Sequence, residues 1–210
     1  MKISLYSRWI HKRHWLKLAV ASFVGAVLCA TQAVAQSYPS KPIRLVVPFT
    51  PGGVTDTSGR LIAEQLSKRL GQQVVVDNKP GASGNIGTQM VASAEPDGYT
   101  LLLGFDGTLV INPHVFPKVG FDTAKDFAPI GKIGDAVLIL VAYPGTPIKT
   151  LKDVINLSKT QSGGLSYGTS GTGGTPHIAG ELLKERTGAN LVHIPYKGGG
   201  QAMTDRKSVV

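Results

Sequence analysis

Apolar and polar positions change rhythm in a regular order along this chain. Ile43 to Val47 is an apolar stretch of strand length, and it predicts a buried strand. Leu61, Ile62, Leu66 and Leu70 then recur at helical spacing and predict an amphipathic helix with these residues as its packed stripe, ended by Gly71. Val74 to Val76 predicts a second strand and Thr88 to Ser93 a short helix. After the turn Glu95-Pro96-Asp97-Gly98, Tyr99 to Leu103 predicts a third strand. A less regular region follows, with Asn112-Pro113, Phe116-Pro117 and apolar runs at Phe127 to Ile133 and Ala136 to Ala142. Tyr143-Pro144-Gly145 marks the expected crossing into a second domain.

The alternation then resumes. Thr150 caps a helix to Thr160 with Asp153 at the capping-box position. Leu165 to Tyr167 predicts a strand, Pro176 to Thr187 a helix with proline in its first turn, and Leu191 to Pro195 a strand. Gly198 to Gly200 open one more helix from Gln201. Strands and helices in alternation with short loops predict an α/β fold with parallel sheets and helices on both faces. The expected division is residues 36–141 for a first α/β domain and 142–210 for a second.

Glycines concentrate where strands give way to helices. The stretch PFTPGGVTD, Pro48 to Asp56, does so after the first strand, and Gly81/Gly84/Gly87 and Gly171/Gly173/Gly174 repeat the device, each with Ser or Thr alongside. Such loops point backbone N–H groups outward and suit an anion. In open α/β sheets they line a crevice beyond the carboxyl ends of the strands. No loop carries the Gly-Lys-Ser/Thr of a nucleotide-phosphate loop, and G-x-G-x-x-G does not follow the first strand. A small carboxylate held by N–H groups, hydroxyls and helix dipoles remains. Asp56, at the start of the first helix, is expected to be its N-cap, with a ligand amine or hydroxyl as an alternative partner.

The first 35 residues change the reading of charge. Lys2, Arg8, Lys12, Arg13 and Lys17 form a basic leader; Leu16 to Ala30 is apolar; Ala33-Val34-Ala35 supplies small residues. This order predicts a secretory signal peptide over residues 1–35, cleaved at about Ala35/Gln36. The apolar run falls short of the roughly 20 residues that span a bilayer. The leader holds five of the 22 basic residues and none of the 13 acidic ones, so the remainder carries +4 rather than +9. That removes most of the case for a nucleic-acid partner. Cys29 is the only cysteine; no disulfide or thiolate metal site is expected in the remainder, which fits an oxidising compartment.

Catalytic patterns fare poorly. GLSYG, Gly164 to Gly168, matches G-x-S-x-G formally, but Ser166 falls inside a predicted strand and no histidine follows Asp205. A secreted α/β hydrolase is therefore a weaker alternative. So is a ligand-sensing module, for which no signalling domain is evident. His114, His177 and His193 lack metal-ligand spacing with acids. Neither catalysis nor a cofactor or metal is expected.

The stretches YPSKPIRLVVPFTPGGVTD, VVVDNKPGASGNIG, PDGYTLLLG, GTSGTGGTPHIAGELL and VHIPYKGGGQAMTD resemble the extracytoplasmic solute receptors of tripartite tricarboxylate transporters, the Bug-type receptors, from about Tyr38 to Asp205. The resemblance implies the type II periplasmic binding-protein fold, with two α/β domains closing over a small carboxylate: a di- or tricarboxylate, an acidic amino acid or an aromatic acid. The implied partners are that ligand and the membrane permease subunits, and the complete receptor is expected to be a monomer. Ligand contact falls by resemblance on Phe49, Thr50, Gly53, Thr55, Asp56, Ser83, Ser170, Gly171, Thr172, Thr175 and His177. Thr50 stands where such receptors usually carry proline, and Val54 where they carry glycine. Family members continue well beyond the Tyr196-Lys197-Gly198 loop, and Arg206 to Val210 no longer resemble them. The expectation is a C-terminally truncated or frame-shifted receptor that is poorly soluble or unable to close on ligand.

Overall fold

The computed structural model describes residues 37–205. The predicted signal peptide and the last five residues lie outside them. Residues 37–40 fall in a separate unit and hold no helix or strand; all that follows concerns the unit beginning at Lys41.

Two parallel sheets are built from the predicted strands. In the first, β1 (Ile43–Val47) lies between β2 (Val74–Asn78) and β3 (Thr100–Leu102). Its register sets Ile43 beside Val74 and Leu45 beside both Val76 and Leu101. In the second, β4 (Leu165–Thr169) pairs with β5 (Leu191–Pro195), Leu165 beside Leu191 and Tyr167 beside His193. The central strand is buried nearly throughout, as a strand covered on both faces must be. Ile43, Leu45, Val47, Ala63, Val74 and Leu103 form one core, and Val154, Leu165, Tyr167, Ala189 and Leu191 the other.

Helices follow the strands. They are α1 (Val54–Leu70) after β1 and α2 (Asn85–Ala92) after β2, the latter beginning earlier than its apolar positions indicate. A π-helical turn (Gly107–Ile111) and α3 (Asn112–Val115) follow β3. Then come α4 (Leu151–Thr160), α5 (Thr175–Thr187) after β4, and α6 (Gly199–Thr204) after β5. The capping box on α4 forms as read: Asp153 N donates to Thr150 Oγ1 and Asp153 Oδ2 accepts from Thr150 N. Removing the hydroxyl in Thr150→Ala is expected to lower stability by about 1 kcal/mol, seen as a shift of the urea midpoint at unchanged slope.

Two expectations are corrected. The packed face of α1 is Asp56, Gly59 and Ala63 with Leu66, while Leu61 is 60% exposed and Leu70 37%. The small residues decide this. A Cβ on Gly59 would stand 3.0 Å from Val47 Cγ2 and 3.3 Å from Leu103 Cδ2, so the helix lies too close to the sheet there for a larger side chain. The N-cap of α1 is Gly53, not Asp56, which occupies the third helical position. The run Ala136 to Ala142 forms neither helix nor strand, and its side chains are largely exposed, Val137 at 85%.

Candidate functional site

Every strand but β3 opens directly onto a glycine loop, and β3 reaches one after Leu103. Loop 48–53 follows β1 and loop 79–84 follows β2. Loops 104–107, 170–174 and 196–198 follow β3, β4 and β5. All lie beyond carboxyl ends of parallel strands, so within each sheet the topology gathers them at one edge.

The loops of the first sheet touch those of the second. Ser83 Oγ donates to Thr172 O; Thr175 Oγ1 donates to Asp106 Oδ1 at 3.1 Å; Thr50 N donates to Lys197 O at 3.3 Å. Backbone approaches accompany these bonds. A Cβ on Gly53 would meet Gly200 N at 3.4 Å, one on Gly107 would meet Thr175 N at 3.0 Å, and one on Gly200 would collide with Pro51 O. At Gly107 and Gly200 no side chain fits between the two segments, whereas at Gly53 the approach is an ordinary contact.

The resemblance-derived residues divide by what their polar groups do. Phe49 is buried, edge-on to Phe105 at 5.7 Å between ring centres. Thr50 Oγ1 is buried without a hydrogen-bond partner among the described residues. Gly53 and Thr55 place the first N–H groups of α1, which no intrahelical carbonyl satisfies. Asp56 is turned inward. Its carboxylate accepts from Gly52 N at 3.0 Å, Arg60 Nε at 3.1 Å and Asn78 Nδ2 at 2.9 Å. Burial alone would raise its pKa, but the bonds from Arg60, Gly52 and Asn78 outweigh it and hold the group below the usual carboxylate range. Asp56 thus shapes the first loop from beneath.

The loop after β4 is also braced from below. Thr169 Oγ1 accepts from Gly171 N at 3.2 Å and lies 2.6 Å from His193 Nε2. His177 Nδ1 accepts from Gly173 N at 3.0 Å, and the His177 and His193 rings stack at 3.9 Å. Two loop N–H groups are therefore spent internally. Those of Thr172, Gly174 and Thr175 have no partner among the described residues, and Ser170 sits beside them, half-buried. Burial, aided by the neighbouring His177, pushes the His193 pKa down to about 4, so the brace is uncharged at neutral pH.

The loop at 82–83 is held in an unusual backbone form. Ala82 and Ser83 both have positive φ, 45° and 55°, which costs a non-glycine residue about 1–2 kcal/mol. Its supports, Thr108 and Asn112, were not found from sequence, nor were Asp106 and Lys197 at the junction. For Asp106 a signal existed, since Gly104 and Gly107 repeat the glycine-loop pattern. For Asn112 none did. Ser166 lies within β4, away from any strand-to-helix turn.

A family model described as the tripartite tricarboxylate transporter family receptor matches residues 59–209. Protein BugT of Bordetella pertussis is 37% identical over 191 residues, covering 90% of this chain and 59% of BugT. The solved structure of MatC from Rhodopseudomonas palustris with bound malate superposes with a TM-score of 0.75 at 30% identity, over 82% of this chain and 60% of that one. An R. palustris protein with adipate gives 0.71 at 37% identity, over 80% and 56%. The chain thus spans little more than half the length of these relatives. Its α/β fold of parallel sheets is that of periplasmic binding proteins over part of their length. The chain belongs to the periplasmic receptor family of tripartite tricarboxylate transporters, a family of binding proteins and not of enzymes.

Proposed function

We propose that this chain is the ligand-gripping portion of a periplasmic receptor that binds a small carboxylate between two α/β domains and presents it to the membrane permease of a tripartite tricarboxylate transporter. The observation that carries the reading is the convergence of glycine loops from both sheets, bonded to one another through Ser83–Thr172, Asp106–Thr175 and Thr50–Lys197. Their unspent donors are main-chain N–H groups at the starts of α1 and α5, aided by the hydroxyls of Thr55 and Ser170. Each helix start favours a carboxylate by about 0.3–1 kcal/mol, more where partly buried. Relatives with malate and with adipate support a dicarboxylate as the ligand class.

Main-chain donors read the carboxylate and leave the rest of the ligand to shape, so the family can hold different acids on one frame. No step of bond making is needed. Closure of the two halves around the ligand is the signal passed on.

The test is thermal unfolding and calorimetry of the chain without its leader, against malate, adipate, succinate, glutamate and uncharged amide analogues. A ligand at 100 times its Kd should add about 2.7 kcal/mol, a rise of several degrees for a domain of this size. The amides should have no effect. Equal stabilisation by acids and amides, or none by any acid, overturns the reading. Ester turnover lost on Ser166→Ala would replace it with a hydrolase.

A further inference from the structure

A group of buried polar side chains lies under Ser83. Asn112, Thr108 and Asn85 are 0%, 1% and 5% exposed. Asn112 Nδ2 donates to Ser83 O at 3.0 Å and to Asn85 Oδ1 at 2.7 Å, and Thr108 Oγ1 donates to the same Ser83 carbonyl at 2.9 Å. Two donors on one carbonyl fix the orientation of that peptide plane. The π-helical turn places Thr108 and Asn112 one turn apart on a single face, which is why both reach it.

The plane they fix belongs to a residue that does not adopt its conformation willingly. Ser83 has φ 55° and ψ 36°, directly after Ala82 at φ 45°. Left to itself this segment would relax towards ordinary backbone angles. In that event the Ser83 hydroxyl would swing away from Thr172 O, which it reaches only from the held conformation. Asn112 also meets the facing loop directly. Its Oδ1, buried and without a hydrogen-bond partner among the described residues, would stand 3.2 Å from a Cβ on Gly173.

We propose that Asn112, together with Thr108, is a positioning residue for the junction between the two halves: it holds Ser83 in the left-handed conformation from which the hydroxyl bonds the facing loop. Ligand affinity then depends on Asn112 through Ser83. That last step rests on the carboxylate-receptor reading; the positioning itself does not.

The experiment uses Asn112→Ala and Thr108→Val, each alone and combined with Ser83→Ala, in the chain without its leader. Amide hydrogen exchange is followed without ligand over residues 81–87 and 170–175, and the malate Kd is measured in parallel. Each single variant should speed exchange in both segments by about fivefold or more and weaken malate by a similar factor. Combined with Ser83→Ala, neither should weaken malate further, because both act through the same hydroxyl. Additive losses of affinity, or faster exchange confined to 81–87, overturn the proposal. So does loss of cooperative unfolding in both variants, which would make the cluster a fold determinant only. Variants that show the exchange pattern, with a wild-type chain that ignores malate, would refute the ligand reading and leave the positioning role standing.

Discussion

Replacing Gly87 with alanine is expected to destabilise the chain by about 3 kcal/mol, although alanine is the better helix former. Gly87 is buried in α2, with Lys79 and Pro48 packed against it. A Cβ there would lie 2.7 Å from Lys79 O and 2.9 Å from both Cα and Cβ of Pro48. None of these atoms ends a flexible side chain, so relief requires moving α2 or both loops. The gain in helix propensity, about 1 kcal/mol, is smaller than the cost of that displacement. Urea unfolding measures the result, with Gly52→Ala as the control. Gly52 has a positive φ of 84° but open space around its Cβ position, so it pays only the backbone cost of about 1 kcal/mol. If Gly87→Ala costs no more than Gly52→Ala, the close approach of α2 to the loops is wrong. Because residues 48 and 79 begin two of the gripping loops, the variant should also lose malate binding where it remains folded.

Acidification from pH 6.5 to pH 5 is expected to destabilise the chain through His193, by on the order of 1–2 kcal/mol. The ring is held between Tyr167 at 5.1 Å and His177 at 3.9 Å, against Thr169 Oγ1. Desolvation, then the neighbouring His177 and more weakly Lys184, lower its pKa to about 4, with Glu181 opposing. The unfolded chain takes up the proton near pH 6.5 while the folded chain refuses it until about pH 4. Between those values the unfolded state binds more protons, so stability rises with pH and is lost as pH falls. The carboxyl groups with lowered pKa, such as Asp56 and Asp77, act below about pH 5, where their unfolded forms begin to protonate. They leave this window to histidine. His193→Gln should flatten the stability profile between pH 6.5 and 5. A slope unchanged by that substitution would assign the effect to another group.

The α/β alternation was legible because β1 and β2 are short runs rich in branched apolar residues, while β4 shows an in-and-out alternation of Leu165 and Tyr167 between glycines. The face of α1 was not legible. Its contact is made by Gly59 and Ala63, which carry almost no hydropathy signal, and by Asp56, whose charge is satisfied only through residues distant in sequence. The gripping loops were visible from their glycines, but their spent and unspent donors were not. Nothing in the spacing shows that Thr169 and His177 occupy Gly171 N and Gly173 N. Asn112 precedes a proline in an irregular stretch and reads as a turn residue; only its burial against Ser83 gives it a role.

The partners across the junction have a consequence for how such a receptor could diversify. Ser83 bonds a main-chain carbonyl, Thr50 bonds one through its own main-chain N–H, and Gly200 rests on the carbonyl of Pro51. Every residue supplies a carbonyl, so the side chains at 51, 172 and 197 are not what holds those contacts together. A proline at position 50, the residue such receptors usually carry, has no donor for the Lys197 carbonyl and would do without that one bond. Mutations at 51, 172 and 197 that retune the cleft for a new acid can therefore accumulate without each one having to preserve the fit of the two halves, which at these positions separates the evolution of ligand choice from that of closure.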